Sequence, residues 1–261
     1  MPPVIKTLFG TLDKVSPWLA GRAAHVLFTT PLATGRMTAA QQRLVRRADA
    51  KLATAKDISF IHQGKRIAAY SFAPQQSANA KTAVLVHGWM SGARYMLAMV
   101  DPLLAMCYRV VCFDLPAHGR SQGRRTNLVA CAKALDHLLA DLGSVDLVIA
   151  HSFGGAVTAY ALSRLRPGGL GPDGRIVLLA SPNQLSSVTR EFAGALGLSD
   201  AARQVYEARL SRSIGASLAD MDGNIMFAAA GYPLWVIHCV DDAEVSIEES
   251  RRYVEIDSNK V

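Results

Sequence analysis

The stretch Val148-Ile149-Ala150-His151-Ser152-Phe153-Gly154-Gly155 sets a hydroxyl nucleophile where it could do chemistry. Residues 145–150 form an apolar run broken only by Asp146, which reads as a buried strand, and residues 156–166 carry a helical pattern. Ser152 stands between them, with Ala150 two positions before it and Gly154 two after. That spacing is a nucleophile elbow, Gly-x-Ser-x-Gly, with alanine in the first place. Such a turn holds a serine in a strained conformation at the carboxyl end of a strand, where its hydroxyl can attack a carbonyl carbon. Only small residues fit two positions either side, and alanine is a small departure. Gly154 and Gly155 let the following helix lie close to the sheet.

The elements that must position this serine follow a simple pattern. Apolar runs at 82–86, 108–113, 145–150, 175–180 and 234–239 read as strands, and 95–106, 128–142, 153–166 and 246–253 as helices. Strand and helix alternate with short connections, which predicts a parallel sheet covered on both faces, with ligands at the carboxyl ends of its strands. Met96, Met99 and Met106 are expected to fill gaps in the core. Upstream, Ile58, Phe60, Ile67, Ala69, Ser71 and Phe72 flank Gln63-Gly64 and predict two antiparallel strands joined by a tight turn. About fifty residues separate Pro182 from Pro233, more than a plain crossover needs. Their apolar spacing predicts two or three short helices, forming a lid over about 183–232 that bounds a pocket. The lid's apolar content favours a substrate with an apolar part.

At 261 residues the chain can bury one substantial core, and half of its residues are hydrophobic at a mean hydropathy of +0.17. Disorder is excluded on that composition. No apolar run approaches the roughly 18 residues that span a bilayer. Asp13, Lys14 and Pro17 interrupt the N-terminal apolar pattern, so no signal peptide is expected. Cys107, Cys112, Cys131 and Cys239 lack paired spacing, which suits a reducing cytoplasm. Residues 1–57 carry nine Lys/Arg against three Asp, nearly all of the formal net charge of +7. They read as a basic helical extension: 4–15 is amphipathic, 18–28 continues it, and Leu44, Val45, Ala48 and Leu52 mark a third helix. These helices either pack on the main domain, 58–261, or attach peripherally to a membrane surface. No aromatic residues are interleaved with the charges and no nucleic-acid motif is present, so nucleic acid is not expected as a partner. Nothing in the extension has the character of a catalytic group.

Four features, in order and each at a strand end, carry a resemblance to the α/β-hydrolase superfamily from about Ile58 onward. They are His87-Gly88-Trp89, Asp114-Leu115-Pro116-Ala117-His118-Gly119-Arg120-Ser121, the elbow at 150–155, and His238-x-x-x-Asp242-x-x-Val245. Within the superfamily the chain resembles a bacterial carboxylesterase-like group. The resemblance implies an α/β fold with a mostly parallel sheet, helices on both faces, a small helical lid and the N-terminal helical extension. It implies a serine hydrolase that cleaves a small-molecule ester or thioester through an acyl-enzyme. Ser152 would be the nucleophile and Asp242 the orienting acid, with Asp241 its rival. Backbone N–H groups of Trp89 and Phe153 would hold the oxyanion. His87, Gly88, His151 and Gly154 would support the two turns, and His118 would brace its own loop. No metal, nucleotide or organic cofactor is implied.

One expected part is missing. The mechanism needs a histidine base after the acid, in the order Ser, Asp, His. Of the 19 residues after Asp242 none is histidine, and His238 precedes the acid at a strand end. On the resemblance the chain reads as truncated before that base, with impaired activity, and with 234–239 left as an exposed apolar edge. A non-catalytic binding or scaffold protein is the alternative reading.

Overall fold

A computed structural model describes residues 2–32, 38–74 and 80–254; the expectations about the last residues, 255–261, lie outside it. Its centre is a seven-stranded sheet in the order β1 (Lys56–Asp57), β4 (Ala69–Phe72), β6 (Tyr108–Phe113), β5 (Lys81–Val86), β7 (Leu147–His151), β8 (Arg175–Leu179) and β9 (Leu234–Ile237). From β6 to β9 every pairing is parallel, whereas β1 and β4 run antiparallel at one end. β2 (Phe60–His62) and β3 (Lys65–Ile67) form a separate hairpin. Its two-residue turn, Gln63-Gly64, has positive φ at both positions (49° and 72°), the backbone twist that matches a hairpin.

The apolar runs are continuous because the sheet buries both faces. Val84, Val86, Val111, Phe113, Val148 and Ala150 point into one core, and Ala83, Leu85, Val110, Cys112 and Ile149 into the other. Helices α5 (Leu128–Leu142) and α6 (Phe153–Tyr160) cover the first face. The second is covered by a 3-10 stretch, Ala93–Met99, running into α4 (Val100–Ala105). The sequence predicts one helix here; Pro102 explains the switch, because its ring would clash with the carbonyl four residues back if the α-helix continued through it. Met96 is buried as expected, but Met106 is 66 % exposed and fills no core gap. All four cysteines are free thiols, Cys112 and Cys131 buried and the other two exposed.

The segment between Pro182 and Pro233 forms three helices: α7 (Leu185–Leu196), α8 (Asp200–Ile214) and α9 (Gly223–Ala230). Ser199 and Asp222 start the last two by accepting backbone N–H groups with their side chains. The N-terminal arm divides between the faces. α3 (Ala39–Leu52) packs on the 3-10 stretch through Leu52, with Lys51 paired to Asp101. α1 (Pro3–Val15) and α2 (Pro17–Phe28) instead lie on the three-helix segment. Asp13, only 6 % exposed, accepts the backbone N–H and the hydroxyl of Ser199. Gly21 lets α2 touch α8 directly: a Cβ there would stand 2.5 Å from the Ala202 carbonyl oxygen and 2.7 Å from Val205 Cβ.

Gly21→Val is therefore expected to lower stability by about 1–3 kcal/mol and to loosen α2. Urea unfolding reads the first effect and limited proteolysis within residues 1–32 the second. Unchanged cleavage would show that the close approach is not what holds the arm.

Candidate active site

The register of the parallel strands brings the polar clusters to one edge of the sheet. Val86 pairs with Ala150 and Leu85 with Cys112, so His87-Gly88-Trp89, Asp114 and Ser152 all emerge at adjacent strand ends. His151 pairs with Leu179, and Leu179 with Ile237, which brings the ends of β8 and β9 alongside.

Ser152 adopts φ 50°, ψ −123°, a region that costs a residue with a side chain about 1–3 kcal/mol. Its surroundings fix it there. Its N–H donates to the Leu179 carbonyl (2.9 Å), and its own carbonyl accepts from Gly155 N–H (2.9 Å) and the Ser181 hydroxyl (3.0 Å). A Cβ on Gly154 would lie 2.6 Å from the Val86 carbonyl oxygen, and one on Gly155 2.0 Å from Ser181 Oγ. On the facing turn, a Cβ on Gly88 would stand 3.0 Å from His151 Nδ1 and 3.1 Å from Ser152 Cβ. Ala150 is fully buried.

The facing turn rests on a buried polar brace. Leu115 N–H donates to His87 Nε2 (2.9 Å), so Nδ1 carries the ring proton and donates to the Gly88 carbonyl (2.7 Å). Asp114 Oδ1 accepts from Ala93 N–H (2.7 Å) and Oδ2 from Arg120 N–H (2.8 Å). Burial still pushes the Asp114 carboxyl up, against the pull of those bonds. Gly119, at φ 50°, is the position where any Cβ would collide with the Asp114 carboxylate. Ser121 bridges the Asp114 carbonyl (2.6 Å) to Ala68 N–H (2.9 Å). His118 is buried and its Nδ1 lies 3.0 Å from the Pro116 carbonyl within its own loop.

Asp242 Oδ1 accepts the N–H groups of Glu244 (2.8 Å) and Val245 (2.9 Å). These bonds hold its carboxyl below the ordinary carboxylate value. His238 stands beside it, Nε2 to Oδ2 at 3.7 Å, yet that nitrogen bonds the Val245 carbonyl (2.8 Å) while Nδ1 faces the Ser250 hydroxyl. His238 is thus committed to bracing the 238–250 loop. His151 is accessible at the strand end; partial desolvation of its ring lowers its pKa, and the nearby charges of Asp242 and Glu244 oppose that shift. Asp241 is exposed.

Aromatic rings gather at Trp89, next to the Gly88 turn that faces Ser152. Trp89 meets Phe153 edge-on at 5.2 Å and His118 at 4.9 Å, and stacks on Phe28 at 6.4 Å. Phe28 also meets Phe192 (5.1 Å) and Tyr206 (5.4 Å). Sequence reasoning missed Phe28, since nothing at the end of α2 signalled a neighbour over a hundred residues away. It joins the arm, the three-helix segment and the turn at Trp89 in one apolar wall.

The His87 brace makes a pH dependence. Burial lowers its pKa to about 3, and protonation would destroy the Nε2 acceptor that Leu115 uses. Its folded value lies below its unfolded one, so the unfolded chain takes up the proton first and stability falls as pH drops below about 6.5. A loss of about 2 kcal/mol between pH 7 and pH 5 is expected from this one group, with a shallower slope in His87→Asn. Urea unfolding at the two pH values checks it; equal slopes in both proteins would refute the assignment.

Residues 83–249 match the Alpha/beta hydrolase family. Among solved structures, an esterase from Pyrococcus furiosus superposes with a TM-score of 0.60 at 19 % identity, over 87 % of this chain and 84 % of its own. An esterase from Rhodococcus sp. gives 0.54 at 19 % identity, over 78 % and 86 %. A bacterial membrane phospholipase A gives 0.54 at 18 %, over 82 % and 80 %. No curated protein matches the chain. The strand register, the strained serine and the matched span of 167 residues lead to one conclusion: the chain belongs to the alpha/beta hydrolase family.

Proposed function

We propose that the protein is a serine hydrolase of carboxylesterase type, cleaving an ester or thioester with an apolar acyl or alcohol part. The observation that carries this reading is Ser152 at positive φ, at the carboxyl edge of the sheet, facing the Gly88 turn whose neighbour Trp89 packs on Phe153 and Phe28. Ser152 attacks the carbonyl, Phe153 and Trp89 N–H groups receive the developing oxyanion, and Asp242 is the acid. The three helices from α7 to α9 serve as the lid. Thioesterase and esterase structures among the fold relatives are consistent with either ester class.

Within these 261 residues no histidine follows Asp242, and His238 is occupied elsewhere. The chain by itself is accordingly proposed to be a slow catalyst, since removing a triad base can cost about 10⁶ in kcat. Added imidazole should restore part of p-nitrophenyl butyrate hydrolysis in the wild type and none in Ser152→Ala. A fluorophosphonate probe should label Ser152 slowly, and faster with imidazole. Equal rates for wild type and Ser152→Ala under all conditions would favour the alternative, a non-catalytic binding protein.

The arm supports a membrane-peripheral role. Val4, Leu8 and Val15 share one face of α1 and are 79 %, 63 % and 77 % exposed. No helix among the described residues is long and apolar enough to cross a membrane. Leu8→Glu with Val15→Glu should reduce sedimentation with anionic vesicles at least several-fold; equal pelleting would sink this role.

A further inference from the structure

A cleft of about 340 Å³ lies between α2 and α8, lined by His25, Arg209, Arg212 and Ser213. Arg125 reaches the same region from the loop before α5, its guanidinium Nη2 and Nε donating to the Thr29 hydroxyl at 2.9 and 3.3 Å. Among the described residues none of these three arginines forms an ion pair with a carboxylate, although other arginines of the chain do. His25 is only 9 % exposed, and its Nε2 is buried without a hydrogen-bond partner. Arg209 Nε is buried and unpartnered in the same way. Leaving such donors dry is costly, and gathering like charges around them adds to the cost. Burial lowers the pKa of His25, and every charge that bears on it, Arg125, Arg209 and Arg212, is positive and lowers it further.

We propose that this cleft binds a phosphate group. Several guanidinium forks and an imidazole converging on one concavity match a compact, multiply charged oxyanion better than a single carboxylate. The converging groups come from different elements, with the imidazole of His25 on the arm and the guanidinium groups of Arg209 and Arg212 on α8. A bound phosphate would thus tie the arm to the three-helix segment. The phosphate could belong to a soluble ion or ester, or to a lipid headgroup.

Thermal unfolding and calorimetric titration of the full chain with inorganic phosphate, against sodium chloride of equal ionic strength, test the proposal. Flotation with phosphatidylglycerol and with phosphatidylcholine vesicles separates the sources. Arg125→Gln and Arg212→Gln alter exposed side chains, so the fold should survive, as circular dichroism would verify. The expected result is a rise in Tm with phosphate in the wild type and an affinity at least ten-fold weaker in the double variant. A response to phosphate points to a soluble ligand; selective flotation with phosphatidylglycerol alone, lost in the double variant, points to a headgroup. Absence of both responses in the wild type, or equal responses in the double variant, overturns the proposal.

Discussion

The left-handed backbone of Ser152 is the constraint around which the neighbouring sequence is written. To hold a side-chain-bearing residue there, the chain anchors it to β8 through the Leu179 carbonyl and to Ser181 through its own carbonyl. It must also keep Gly154, Gly155 and Gly88 without side chains, because a Cβ on each would press on β5, Ser181 or the Ser152 turn. The strain is sustained by a sheet buried on both faces, which leaves the strand end no room to relax. A strained serine hydroxyl projecting at such an edge is a local cost carried by the packing of the whole sheet.

Much of this was legible in the sequence because it depends on short-range rules. Continuous apolar runs located the buried strands and helical spacing the helices, and the turn at Gln63-Gly64 followed from the conformations those residues tolerate. The small residues around Ser152 are a steric signature that survives without any tertiary information. The break from 3-10 to α-helix before Pro102 was less visible, although the proline rule contains it. What the sequence concealed was long-range: Phe28 against Trp89, Asp13 against Ser199, His25 beside Arg209. Each partner is ordinary in its own helix, and only the docking of α2 on α8 gives the pair meaning.

The charged groups divide into two kinds. Around the sheet edge every buried polar atom of the His87–Asp114–Ser121 brace has a defined partner, and the brace fixes the turn at Gly88. In the cleft under the arm, cations accumulate without carboxylates. The first arrangement is rigid and complete by itself. The second has unsatisfied donors, as a surface shaped for something outside the chain does.

The hydrogen bonds from Ser199 to Asp13 join residues 186 positions apart, and they have a kinetic meaning. α1 and α2 leave the ribosome well before α7 and α8, so their partner surface is made later than they are. Closing so long a loop is entropically expensive, and contacts of this separation slow folding. The amphipathic arm must therefore wait until α7 and α8 have been made, with the face that docks on them uncovered. During that interval the nascent protein, rather than the finished one, is the species most in need of a chaperone or a lipid surface.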